Sequence, residues 1–172
     1  MKVIFLDIDG VLIRFGNTHQ IRQTRAMKKD TWGIITSLDE DLMENLKMVL
    51  EKTNARIVIS SSWRRGKMEI LRDEFYRCGD LLWFDFWHRV IWKTPDTLWH
   101  GRGNEILTFL TQYHENCGGG NHISHWCVID DDSFDMKCVS RLWKFVHTKT
   151  HLGLTKEKAE DTISILAWNN YT

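Results

Sequence analysis

The chain has little to suggest a membrane, a secreted scaffold or a repeat. A transmembrane helix needs about 18 consecutive apolar residues, and no stretch approaches that. The opening Met1-Lys2 runs straight into an apolar segment, without the layout of a secretory leader. Net charge is absent too: Lys plus Arg and Asp plus Glu each total 23. No overall field therefore draws the chain to nucleic acid or membrane, although a local basic patch is still allowed. Cysteine is sparse, with Cys78, Cys117, Cys127 and Cys138 forming no CxxC pair. Reduced thiols and a cytoplasmic location are the expectation. Cys117, His122, His125 and Cys127 could in principle hold zinc, but their spacing matches no familiar zinc motif. A buried thiol beside loop histidines is the reading preferred. Pro95 is the single proline, and Gly118-Gly119-Gly120 is the one flexible-looking linker. With 172 residues and no low-complexity tract, residues 1–172 are expected as one domain.

What is present alternates between strand and helix. Residues 2–7, 55–60, 125–130 and 142–147 read as strands, with 89–92 as a further short one. Helices are expected over "SLDEDLMENLKMVLEKT", opened by a Ser37–Glu40 capping box, and over about 67–78, 103–115 and 156–168. Thr155 is the expected N-cap of the last. This order implies a parallel, helix-covered sheet of about five strands. In such sheets ligands bind beyond the carboxyl ends of the strands.

The residues at those ends carry the chemistry. "KVIFLDIDGVL" places Asp7 and Asp9 just past the first strand, followed by Gly10. Two carboxylates so close repel and resist burial, which calls for a compensating cation. "SSSWRR" (60–65) follows the second strand, and "DDDSFD" (130–135) follows the fourth. Each motif alone is an ordinary turn or cap. Together they bring carboxylates from two strands and hydroxyls from a third to one edge. An all-oxygen donor set suits Mg²⁺. An EF-hand loop does not fit, because Gly10 comes too early and the twelfth position is Thr18. A response-regulator receiver does not fit either, because the DxD pair comes first and the aspartate run late.

The order DIDGV, a Ser closing a second strand, a basic residue opening a later helix, and a late DD pair resembles the haloacid dehalogenase (HAD) superfamily. "ISSSWR", "TP" followed by "GRGNEI", "VIDDD" and "HLGLTKEKAEDTISIL" are similar, more narrowly, to the HAD domains of Swiss-army-knife RNA repair proteins. The resemblance implies a three-layer α/β/α Rossmann-like domain with at most a minimal cap. It implies Asp7 as nucleophile, Asp9 as general acid and base, and Ser60 as the phosphate-binding hydroxyl. Arg102 stands where the superfamily has its Lys or Arg, with Lys93 as a competitor. Asp130 and Asp131 match the acidic pair, so Mg²⁺ would be held by Asp7, Asp9 (through its backbone carbonyl), Asp130 and Asp131. Gly10, Ser61, Ser62 and Arg64 are expected around the bound phosphate. Val11 departs from the Thr found in many phosphatases of the superfamily.

Only about residues 13–36 and 64–100 could be inserts, and neither has the look of a separate cap domain. A site left open suits a large phosphorylated substrate such as an RNA or DNA end. Arg14, Arg22, Arg25, Lys28 and Lys29 in the first insert, and Arg64 and Arg65 with Trp83, Trp87 and Trp92 in the second, suit a nucleic-acid strand. Against this, nine tryptophans in one domain are expected mainly in the core, and a basic run is commonly a solvated face. Small phosphomonoesters such as nucleotides are the alternative substrate, and a non-catalytic nucleic-acid or phosphate-binding module the alternative function.

Overall fold

A computed structural model describes residues 1–15, 38–97, 101–117 and 122–167. Among these residues five strands and five helices alternate: β1 (Lys2–Leu6), α1 (Glu40–Thr53), β2 (Arg56–Ile59), α2 (Met68–Leu82) and β3 (Val90–Lys93) come first. They are followed by α3 (Gly101–Asn116), β4 (His125–Asp130), α4 (Lys137–Ser140), β5 (Phe145–His147) and α5 (Lys156–Ala167). All neighbouring strands pair in parallel, in the order β3-β2-β1-β4-β5. After β1 the chain builds outward through β2 and β3, then returns to place β4 on the other side of β1. The switch point therefore lies at the carboxyl end of β1, where such sheets form their ligand crevice.

Alternation along β1 divides the core. Val3, Ile4, Phe5 and Leu6 are all fully buried, so both faces of the strand are covered. Ile4 and Leu6 share a cluster with Leu42 and Leu46 of α1, Phe75 of α2 and Leu166 of α5. Val3 and Phe5 belong to the opposite layer with Ile106 and Phe109 of α3, and Phe5 meets the Phe109 ring edge-on at 5.6 Å. The result is the three-layer α/β/α arrangement with a five-stranded parallel sheet.

Several local expectations need correction. Helix α1 begins at Glu40 with Asp39 at its N-cap, and the Asp39 carboxylate accepts from the Arg14 N–H instead of capping the helix. Ser37 lies outside the described residues, as do Arg22, Arg25, Lys28, Lys29 and Gly118–Gly120. Residues 64–97, expected as part of an insert, contribute α2 and β3, which are a flanking helix and a strand of the sheet itself. The strand expected over 142–147 starts only at Phe145, because Trp143 turns the chain at φ 55° after α4. Tryptophan is not mainly core among the described residues: Trp63 is buried, while Trp83, Trp92 and Trp143 are exposed. Thr155 does cap α5, its hydroxyl accepting from the Lys158 N–H at 3.3 Å. No helix among the described residues is long and apolar enough to cross a membrane.

A glycine in the first turn of α3 fixes where that helix rests. The Gly103 N–H donates to the Asp135 carbonyl at 3.1 Å. A Cβ at Gly103 would stand 2.6 Å from Cys138 Sγ and 2.7 Å from that carbonyl oxygen. Gly103→Ala should therefore destabilise the protein by about 1–3 kcal/mol in a denaturant titration, although alanine is the better helix former. An unchanged or raised midpoint would show that α3 can shift away.

Candidate active site

Strand pairing brings the carboxylates together. The Asp7 N–H donates to the Ile129 carbonyl at 3.0 Å, which carries the β1–β4 pairing one residue further. Asp7, just past β1, thus sits beside Asp130, the last residue of β4. Both are buried, at 3% and 0% exposure. Asp131 follows, half-buried, and oxygens of all three carboxylates lie within 4.8 Å of one another. Gly10 lets the loop after β1 close against them. Its φ is 70°, and a Cβ there would stand 2.1 Å from Asp131 Oδ2, so no other residue fits. From beyond β5, the Thr150 hydroxyl donates to Asp131 Oδ2 at 2.6 Å and the Thr148 hydroxyl to the Gly10 carbonyl at 3.0 Å.

The first turn of α3 supplies the cation. Arg102 Nη1 lies 2.9 Å from Asp7 Oδ2 and 2.7 Å from Asp130 Oδ2. One guanidinium cannot neutralise two buried carboxylates. Burial accordingly raises the Asp7 pKa against the pull of Arg102, and burial together with the Asp7 charge pushes Asp130 up to about 8. Burial opposes the charge on Arg102, but Asp7 and Asp130 hold its pKa above the ordinary range. The other Asp7 oxygen, Oδ1, is buried without a hydrogen-bond partner among the described residues. Surplus negative charge, an unpartnered carboxylate oxygen and an all-oxygen donor set fit a hard divalent cation.

Hydroxyls gather on the β2 side. The Ser60 N–H donates to the Leu6 carbonyl, which places Ser60 beside Asp7. Its Oγ is buried with no partner among the described residues. Ser61, also buried, accepts from the Trp63 N–H at 3.3 Å through its hydroxyl. Ser62 is exposed and lines a cavity of about 250 Å³ with Arg65, Arg102 and Asp135.

Two expected residues sit differently. Arg64, expected at the phosphate, also lines that cavity but is committed to a buried ion pair, its Nη2 lying 2.5 Å from Glu105 Oε2. Its Nη1 donates to the Ser61 carbonyl. Because Glu105 is one turn beyond Arg102, this pair ties the loop after β2 to α3 and so to the position of Arg102. Lys93 donates to the Arg64 carbonyl at 3.2 Å; among the described residues the cation that reaches Asp7 and Asp130 is Arg102. The Asp9 carboxylate is not among the three clustered ones and accepts instead from the Trp63 indole at 3.0 Å. Burial raises its pKa, partly offset by that indole bond.

Sequence reasoning missed Glu105, Trp63, Thr148 and Thr150. Thr148 and Thr150 were findable, because they follow the fifth strand just as the aspartates follow the first and fourth. Trp63 lies in the quoted "SSSWRR" loop, but an apolar ring gives no sign of its carboxylate partner, and Glu105 follows no strand. At the far side of the sheet, Cys127 is fully buried within β4, and burial pushes its thiol pKa up. The Cys117 thiol bonds the His114 carbonyl. The cluster of potential ligands found among the described residues is Asp7, Asp130 and Asp131.

The raised Asp130 pKa has a consequence for stability. Between about pH 4 and pH 8 the native state keeps a proton that the unfolded chain has lost. Native protein then binds more protons than unfolded, so stability falls as pH rises. In the presence of a chelator, Tm should decline from pH 5 to pH 8, and Asp130→Asn should flatten that decline. A wild-type Tm that rises across this window would contradict the assigned direction.

Comparison with known families agrees with this layout. The family described as the HAD domain in Swiss Army Knife RNA repair proteins matches residues 3–159. That span takes in β1, the serine loop, Arg102 and the paired aspartates. No curated protein matches the chain. With the family matched over most of its length and the parallel sheet in place, the chain belongs to the HAD domain family of Swiss Army Knife RNA repair proteins.

Proposed function

We propose that this domain is a Mg²⁺-dependent phosphomonoester hydrolase that works through an aspartyl-phosphate on Asp7, with polynucleotide terminal phosphates as substrate. Its family implies a phosphatase-type hydrolase. The observation that carries the reading is one pair of atoms. Asp7 Oδ1 and Ser60 Oγ are buried, unpartnered among the described residues, and at the ends of adjacent strands. Buried polar atoms are rarely left without partners unless a ligand supplies them.

Asp7, Asp130 and Asp131, with the Asp9 backbone carbonyl, would hold Mg²⁺. Bound there, the cation offsets the repulsion among these carboxylates and the charge of a phosphoryl group. Ser60 donates its hydroxyl to a phosphoryl oxygen, and Arg102 supplies charge to another. Asp7 attacks phosphorus while Asp9 gives a proton to the departing oxygen. Asp9 then takes a proton from the water that releases phosphate and restores Asp7. Splitting the displacement in this way exchanges one difficult step for two easier ones.

The polynucleotide reading is supported by an exposed aromatic on the edge strand β3: Trp92 is 67% exposed, next to Lys93 at the carboxyl end of that strand. An exposed indole near a cation is what stacking on a single strand uses. A second reading, small phosphomonoesters such as nucleotides, is favoured by the 250 Å³ cavity bordered by Arg102, which could take one such group. A non-catalytic binding module would have no need of both Asp7 and Asp9.

A phosphate-release screen separates these readings, using 3′- and 5′-phosphorylated RNA and DNA oligomers beside mononucleotides and sugar phosphates. Asp7→Asn should lower turnover at least ~10³-fold while the protein remains folded, and a chelator should abolish it. Retention of more than about a tenth of the activity would remove Asp7 from the nucleophile's role. Neutralising two of Arg22, Arg25, Lys28 and Lys29 should raise KM for an oligomer and leave a small ester nearly unchanged. Salt should act on the oligomer alone, with each lost phosphate contact reducing the log–log slope by about 0.7. Equal responses from both substrates would replace the polynucleotide reading with the small-ester one.

A further inference from the structure

The loop after β2 makes a single 3₁₀ turn, Ser62–Arg64, which places an indole in the core next to the site. Trp63 is 1% exposed, and its ring belongs to the cluster containing Leu12, Ile13 and Phe75. Its backbone is anchored at both ends: the N–H donates to Ser61 Oγ, and the carbonyl accepts from the Lys67 N–H at 3.0 Å. Lys67 Nζ lies over the ring, 5.1 Å from its centroid. From this fixed position Nε1–H donates to Asp9 Oδ2 at 3.0 Å.

We propose that Trp63 is a positioning residue: its N–H reserves Asp9 Oδ2 as an acceptor, so that the proton Asp9 exchanges with the substrate is carried on Oδ1. This role rests on the domain being a hydrolase of the kind proposed. An indole N–H can donate but never accept. A proton on Oδ2 would set two donors against each other, whereas a proton on Oδ1 leaves the indole bond intact. In the first step Asp7 forms a bond to phosphorus as the bond to the leaving oxygen breaks. That oxygen takes the electron pair and the proton from Asp9 Oδ1. In the second step water attacks phosphorus, its proton passes to Asp9 Oδ1, and the bond from phosphorus to Asp7 breaks. The same oxygen serves both steps, and the carboxyl need not rotate between them. A tryptophan present only to fill the core would satisfy its N–H without directing chemistry.

The two roles differ in how they depend on the leaving group. An alkyl alcohol needs a proton to depart, whereas p-nitrophenolate does not, and kcat/KM reports only as far as that departure. Trp63→Phe removes the N–H and keeps an aromatic ring. Benzothienylalanine placed at position 63 replaces the N–H by sulfur and keeps the full shape, so it carries the test if the phenylalanine variant does not fold. Each should lower kcat/KM for an alkyl phosphate about 10- to 100-fold. For p-nitrophenyl phosphate the change should stay within about threefold. Equal losses on both esters, or no loss on either, would overturn the positioning role. Inactivity of the wild-type protein on both esters and on the phosphorylated oligomers would overturn the hydrolase reading itself, and this role with it.

Discussion

Two carboxylates at the ends of adjacent parallel strands, sharing one guanidinium, set the terms for the rest of this structure. Asp7 and Asp130 are held side by side by the β1–β4 pairing, and neither can move away without breaking the sheet. Their burial is costly, and Arg102 compensates only part of it. The remaining negative charge suits a cation that also attracts phosphate. The same arrangement that strains the resting site is the one the proposed metal-assisted hydrolysis would use.

Much of the surrounding structure supports that pair. The Arg64–Glu105 ion pair joins the serine loop to α3, and the close contact at Gly103 holds that helix against the loop before α4. Gly10 brings the first loop against Asp131, and Thr148 and Thr150 fasten both from the β5 side. Every strand of the sheet except β3 sends a polar side chain or its immediate successor into this one region. Strand β3 instead contributes Lys93, which braces the serine loop through the Arg64 carbonyl. Precision at the site comes from the rigidity of strand ends, with loops fastened onto them.

Reading the sequence went furthest where one residue's chemistry and its place relative to a strand were both visible. Buried runs such as "VIFL" and "CVID" identify their strands, and the acids and serines after them identify the functional edge. The leucine spacing of α1 identified that helix, but its start was missed because Asp39 bonds to Arg14, a residue 25 positions away. The short β5 was overextended because the apolar "LW" before it is set apart by a left-handed turn at Trp143, which no period reveals. Trp83 and Trp92, singled out as surface aromatics, are exposed, whereas the expectation that tryptophan is mainly core failed because composition alone cannot tell which face a ring takes.

By itself the sequence determined the α/β class, the strand-end acids and hydroxyls, and the order of motifs that marks the family. These depend on near neighbours in the chain: alternation, capping and the residue that follows a strand. Tertiary structure alone decided which cation meets the carboxylates. It chose Arg102 over Lys93, committed Arg64 to Glu105 across 41 residues and brought the Trp63 indole to Asp9 across 54. Such pairings depend on where parallel strands and their crossover helices come to rest. A polar side chain on a loop can reach several partners, and packing of the core selects among them.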